Sequence, residues 1–317
     1  MTTNNFPPIA LGTWSWGSGA VGGNQVFGNH LDKEMLQPVF DEAMKLGLNL
    51  WDTATVYGMG ASEDILGAFV QEVNRKDILL STKFTPQLAE MYDNSMMKML
   101  DASLKRLNTD YIDIYWIHNP MDVERWTPQL IEVLKSGKVK TVGVSNHNLA
   151  QIKRAEEILS KEGFHIGAIQ NHYSLLYRES EEAGIIEWCN ERNVPFFAYM
   201  VLEQGALSGK YDTAHPLPAD SMRGQTYNPQ LAKIEKLVAV MRKIAEAHNV
   251  DVAQIPVAWA VAKHTLPLIG ATKPSHVADA YNASQVKLTD KEIKLLEEAA
   301  ASTGAETRGS WENSMLS

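Results

Sequence analysis

Strand-like and helix-like apolar patterns alternate along this chain almost without exception, and no other feature of the sequence constrains its fold as tightly. Apolar runs with strand character occupy Ile9–Trp16, Leu48–Ala54, Ile78–Phe84, Ile112–His118, Thr141–Ser145, Gly167–Gln170, Pro195–Met200 and Leu266–Gly270. Between them, apolar residues recur at i, i+3 and i+4 in Met35–Leu46, Glu63–Val73, Met96–Leu107, Gln129–Leu134, Leu149–Leu159, Glu181–Glu191 and a longer region, Gln230–Ala262. Strict βα alternation implies right-handed crossovers and a parallel sheet. Eight such units predict a closed (β/α)8 TIM barrel rather than two doubly wound domains. The expectation is one domain over residues 1–317, with an N-terminal strand or hairpin, an extra C-terminal helix at Asp290–Ala301 and a tail carrying Trp311. The loop from Gln204 to Asn228 exceeds a minimal barrel connection, and long loops inside compact domains are commonly functional.

Composition narrows the function classes. A net charge of -9 disfavours nucleic acid and anionic membranes, both of which ask for a positive field, so a small molecule is the expected partner. No apolar run approaches the ~20 residues needed to span a bilayer, and Met1–Pro8 has neither the basic nor the apolar region of a signal peptide. One cysteine, Cys189, excludes an intrachain disulfide and suits a reducing cytoplasm. The expected state is a monomer or a simple homo-oligomer.

One motif misleads. Gly17-Ser-Gly19-Ala-Val-Gly22 satisfies G-x-G-x-x-G after a strand. Its third glycine should open a helix so that a pyrophosphate meets the helix dipole, whereas here loop residues continue to about Asp32. It reads as a lid rather than a dinucleotide fingerprint.

In a parallel barrel the C-terminal strand ends open on one face, so reading them in order is a search for a site. The second strand ends at Asp52 with Tyr57 five positions on; the third ends in Ser81-Thr82-Lys83; the fourth ends in Trp116-Ile117-His118. Singly, each residue has an ordinary structural use: a turn aspartate, a solvated lysine, a satisfied histidine. Together they form an acid–base set. Asp52 pays for burying the Lys83 charge, and Lys83 beside Tyr57 is expected to lower the phenol toward the working pH range. His118 then orients a substrate carbonyl, Trp116 packs away from it, and Ser62-Glu63 opens the next helix as a cap. No second histidine ends the third, fifth or sixth strand, so a catalytic metal is not expected.

The stretches Asp52-Thr-Ala-Thr-Val-Tyr57-Gly58-Met-Gly60-Ala-Ser62-Glu63-Asp-Ile-Leu66-Gly67, Leu107-Asn-Thr-Asp-Tyr111-Ile-Asp113-Ile-Tyr-Trp-Ile-His118 and Gly137-Lys-Val-Lys-Thr-Val-Gly143-Val-Ser145-Asn146 resemble the aldo-keto reductase superfamily. Gln170-Asn-His-Tyr173 and Leu207-Ser-Gly209-Lys210-Tyr211 extend the resemblance over essentially the whole chain. It implies NADPH-dependent reduction of an aldehyde or ketone, with Tyr57 as general acid, Lys83 and Asp52 tuning it, and His118 positioning the carbonyl. It further implies a cofactor lying across the barrel mouth, NADPH rather than NAD. Gly12, Thr13, Trp14 and Asp52 would border it, Ser145, Asn146 and Gln170 would hold the carboxamide, and Tyr199 would stack on the ring. Met200, Leu202, Gln204, Gly205 and Leu207 correspond to the segment over the pyrophosphate. There the family's usual Ser-Pro-Leu is replaced by Met200-Val201-Leu202, and a glutamate stands at 203. Gly270, Thr272, Lys273, His276 and Asp279 match the region gripping adenine and the 2'-phosphate, with Lys210 and Arg223 assisting; the family's frequent Glu-Asn pair reads Asp279-Ala280. Trp14, Trp16, Tyr57, Phe84, His118, Trp126 and Trp311 would surround an apolar or aromatic carbonyl substrate. The alternatives are a cofactor-binding, redox-sensing regulatory subunit with little turnover, and a barrel isomerase or lyase.

Overall fold

The computed structural model describes residues 6–317. Its eight strands are β1 (Ala10–Gly12), β2 (Leu50–Asp52), β3 (Leu79–Phe84), β4 (Ile112–Ile117), β5 (Val139–Ser145), β6 (Ala168–His172), β7 (Phe196–Tyr199) and β8 (Leu266–Gly270). Each pairs in parallel with its neighbours in sequence, and β1 closes on β8 through Ala10 with Leu268 and Gly12 with Gly270. The expected barrel is therefore present. Of the expected N-terminal strand or hairpin, the described residues show the strand, a barrel stave pairing in parallel on both sides.

Two apolar layers hold the barrel. Inside it, Ala10, Leu50, Ile114, Trp116, Ala168 and Phe197 pack together, with Phe6 edge-on to Phe197 at 5.8 Å. Trp116 occupies space that Gly143 leaves open, since a Cβ there would lie 2.4 Å from the indole. Outside it, the larger core fills the gap between strands and helices, where Phe40 stacks on Phe69 at 4.7 Å and Trp16 leans on Trp51 at 5.1 Å.

Several helix boundaries differ from their periodicity. The helix expected at Gln129–Leu134 spans Val123–Lys135, capped by Asp122, whose side chain accepts the Arg125 N–H at 3.1 Å. Pro128 obscures its start; the carbonyl that Pro128 leaves without an intrahelical partner is that of Glu124, an exposed residue. The region Gln230–Ala262 divides into Leu231–His248 and Gln254–Ala262, because Asn249 turns left-handed (φ 53°) and the Val250 N–H donates back to Ala245 O at 3.0 Å. A helix at Pro274–Ala283, with proline in its first turn, separates β8 from the final helix. After the G-x-G-x-x-G stretch comes only a short helix, Gly23–Val26; the long one begins at Lys33, where Asp32 accepts the Met35 N–H. The Gln204–Asn228 loop is pinned by buried Leu217 and Tyr227 and by a short helix, Met222–Tyr227, capped by Ser221. Among the described residues no helix is long and apolar enough to cross a membrane.

Candidate active site

Asp52 is the last residue of β2, and Lys83 lies on the adjacent β3. Both are buried, and the Lys83 ammonium donates to Asp52 Oδ2 and to the Thr53 carbonyl at 2.8 Å. The other carboxylate oxygen of Asp52 accepts from Ser81 Oγ at 2.6 Å and Gln170 Nε2 at 3.2 Å. A buried ion pair is tolerated when its remaining valences are filled in this way. Burial pulls Lys83 below its ordinary pKa, with Asp52 working against the shift.

Tyr57 follows on a turn in which Gly58, Met59 and Gly60 all adopt positive φ (59°, 54° and 100°). Gly60 has a second reason to lack a side chain, since a Cβ there would lie 2.7 Å from Arg106 Cδ. The turn aims the phenol back over the strand ends, its oxygen 3.5 Å from Lys83 Nζ and its ring stacked on Trp14 at 5.7 Å. The expectation that Lys83 lowers the Tyr57 pKa is not met. Burial, together with the Asp52 carboxylate, holds the phenol well above its ordinary value, because Lys83 spends its charge on Asp52. Tyr57 is thus a neutral phenol, poised to give a proton rather than take one. Ser62 and Glu63 do not form a cap. Ser62 Oγ sits 2.7 Å from the Thr13 carbonyl, and Glu63 accepts from Thr82 Oγ1 at 2.6 Å and Arg106 Nε at 2.7 Å, tying the Tyr57 turn to β1, β3 and the helix Met96–Arg106.

His118, one residue beyond β4, has its ring centre 5.9 Å from that of Tyr57. Its Nδ1 lies 3.1 Å from Thr85 Oγ1. When Thr85 donates there, the imidazole proton is on Nε2, a donor for a carbonyl oxygen. Burial, and then the Lys83 charge, keep the imidazole well below its ordinary 6.5, so it is neutral at physiological pH.

Asp52, Tyr57, Thr85 and His118 border a cavity of about 1070 Å³ at the C-terminal strand ends, and Lys83 lies buried behind them. Of the residues expected around a cofactor, Gly12, Trp14, Asp52, Ser145, Asn146, Gln170, Tyr199, Met200, Leu202, Gln204, Gly205, Lys210, Arg223, Gly270, Thr272, Lys273, His276 and Asp279 line it. Thr13 and Leu207 do not: the Thr13 hydroxyl is 3.2 Å from Asp52 O inside the wall, and Leu207 is fully buried beneath the loop. Of the expected substrate-side residues, Trp14, Tyr57, His118 and Trp311 line the cavity, and Trp14 meets Trp311 edge-to-face at 5.6 Å. Trp16, Phe84 and Trp126 lie outside it. Trp16 donates its indole N–H to Ala271 O at 3.0 Å within the outer core, and Phe84 packs on Trp126 at 4.8 Å. Strand alternation explains Phe84: Lys83 points into the barrel, so its neighbour points out.

Other lining residues carried no sequence signal. Val56 and Leu88 add apolar surface, the Gln87 and Asn119 amides pair at 2.7 Å, and Arg242 reaches in from the helix Leu231–His248. Lys210, Arg223, Arg242 and Lys273 gather four cations on one cavity of a chain with net charge -9. Such a collection fits phosphate groups.

A family model described as the aldo/keto reductase family matches residues 8–301. Aldo-keto reductase yakc of Schizosaccharomyces pombe, whose name includes NADP(+), is 32% identical over 302 residues, covering 89% of this chain and 87% of its own. The chloroplastic pyridoxal reductase of Arabidopsis thaliana is 30% identical over 308 residues, covering 92% and 83%. Among solved structures, a thermostable aldo-keto reductase superposes with a TM-score of 0.75 at 27% identity, over 94% of this chain and 97% of that one. Glycerol dehydrogenase from Gluconobacter oxydans superposes with a TM-score of 0.78 at 25% identity, over 96% and 94%.

Proposed function

The chain belongs to the aldo/keto reductase family, and from that premise we propose that it reduces an aldehyde or ketone to an alcohol with NADPH. The observation that carries this reading is the Tyr57 hydroxyl at the cavity, backed by the buried Lys83–Asp52 pair and flanked by His118. NADPH, when bound, supplies the hydride. Ser145, Asn146 and Gln170 would hold its carboxamide, Tyr199 would support the nicotinamide, and Lys210, Arg223 and Lys273 would hold its phosphates. His118 orients the substrate carbonyl, and Tyr57 donates a proton to the oxygen as negative charge develops there. The phenolate left behind lies 3.5 Å from Lys83 Nζ, which Asp52 keeps in place. Trp14, Trp311, Val56 and Leu88 suit an apolar or aromatic carbonyl compound. A cytoplasmic setting, as a monomer or simple homo-oligomer, belongs to the same reading.

Steady-state assays with NADPH and NADH across aromatic aldehydes, sugars and ketosteroids test it. Multiple turnovers with at least one class are expected, faster with NADPH. A single turnover and no more would instead identify a regulatory subunit, which no observation favours.

Two further results follow. Lys273→Ala is expected to weaken NADPH binding about tenfold, the loss of one charge-assisted contact, while NADH binding is unchanged. Titrations of tryptophan fluorescence read both affinities, and equal weakening would remove Lys273 from the phosphate site. The pH profile of kcat/KM is expected to show no limb near 6.5, because His118 stays neutral well below that value and becomes a cation only in more acidic solution. A limb at 6.5 that disappears in His118→Gln would contradict this.

A further inference from the structure

Glu312 lies in the segment that follows the last helix, yet its carboxylate is buried against β6 and β7. One oxygen accepts the Tyr199 hydroxyl at 2.6 Å. The other meets His172 Nδ1 at 3.1 Å and accepts the Gly309 N–H at 2.9 Å. On the far side of the imidazole, Nε2 meets Glu203 Oε1 at 3.0 Å. An imidazole donates from both nitrogens only as a cation. Burial opposes that charge, but the two carboxylates outweigh it and carry His172 up to about 10. The same ring stacks with Tyr177 at 4.3 Å and with Tyr199 at 5.6 Å.

The Tyr199 hydroxyl also abuts Asn146 Oδ1, and it has one proton for two acceptors. Glu312 Oε1 and Asn146 Oδ1 therefore share it. Burial and Glu312 hold the Tyr199 pKa well above its ordinary value, which keeps that proton in place.

Glu203 binds the same device to the loop after β7. Met200, Glu203 and Gln204 there have φ of 61°, 46° and 51°, a conformation costly to residues other than glycine. Beyond His172, the Glu203 carboxylate accepts from Ser174 Oγ, from Thr307 Oγ1 at 3.1 Å and from the Tyr227 hydroxyl at 2.6 Å. Thr307 lies in the same C-terminal segment as Glu312, so that segment grips both the loop and Tyr199.

We propose that Glu312 is a positioning residue of the nicotinamide subsite: bonded to the Tyr199 hydroxyl and to His172, it sets the Tyr199 ring against which a bound nicotinamide would lie. The proposal rests on the cofactor reading above. It gives the C-terminal segment two tasks on consecutive residues, since Trp311 faces the cavity and Glu312 fixes the ring behind it.

Calorimetric titration of the full chain with NADPH, with circular dichroism to confirm folding, tests the proposal. Glu312→Ala and Tyr199→Phe are each expected to raise the Kd and KM for NADPH about tenfold, the loss of one hydrogen bond to a charged acceptor, with the carbonyl KM within about twofold. The double variant should be no worse than the worse single, because both changes cut the same bond. A tail with a structural role alone would lower the Tm and leave NADPH affinity unchanged, or give losses that multiply in the double variant; either result overturns the proposal. Should Glu312→Ala fail to fold, Tyr199→Phe decides by itself, and an unchanged Kd there is equally fatal. Wild-type protein that does not bind NADPH would overturn the cofactor reading together with the proposal, whereas normal wild-type binding with unaffected variants overturns the proposal alone.

Discussion

Tyr57→Phe is expected to lower turnover of an aldehyde by about 10²–10⁴, the contribution of a positioned general acid, while leaving NADPH affinity within about twofold. The two effects separate because phenylalanine keeps the ring. Its stacking on Trp14 at 5.7 Å and its place beside His118 survive, and only the proton and the contact with Lys83 Nζ at 3.5 Å are lost. Single-turnover measurements with pre-bound NADPH isolate the chemical step from binding. Full activity in this variant would exclude Tyr57 as the proton donor. The neutral state of the phenol also bears on direction. With its pKa held well above the ordinary value, Tyr57 is loaded for reduction at neutral pH, and oxidation of an alcohol, which needs the phenolate, is expected to gain as the pH rises.

Lys83→Met is expected to be the most destabilising single change at the site. It leaves Asp52, 1% exposed, as a buried carboxylate with Ser81 and Gln170 as donors but no counter-ion. Breaking a buried pair from one side costs about 3–5 kcal/mol, because the stranded charge keeps its desolvation penalty. The double variant Asp52→Asn, Lys83→Met removes both charges and is expected to recover a large part of that loss, although it remains inactive. Urea unfolding of the two proteins measures the difference. A single variant within about 1 kcal/mol of wild type would mean that the pair is not compensating buried charge as described.

The barrel was legible because each βα unit announces itself through two periods, and eight of them in strict succession leave little topological freedom. Asp52, Lys83 and His118 were legible for the same reason: a polar residue closing an apolar strand points at the common face. Trp16 and Trp126 show where composition misleads. Trp16 follows a strand and Trp126 sits in a helix, and for both the direction of the side chain, which residue type does not give, decides whether it meets the cavity or the outer core. For Phe84 that direction could have been had from its neighbour Lys83. The influence of Lys83 on Tyr57 is not legible from proximity, which says nothing of how Asp52 absorbs the charge. Glu312 and His172, 140 positions apart, share no local pattern, and the contact between them exists only once the barrel has formed.

The pairing of β1 with β8 has a consequence for the chain as it is being made. Residues 10–12 wait for residues 266–270 before the sheet closes. Until β8 has left the ribosome, the partial barrel carries two open strand edges and an uncovered interior around Trp116 and Phe197. Synthesis is therefore the period of greatest exposure to aggregation, and a pause in translation before residue 266 would lengthen it.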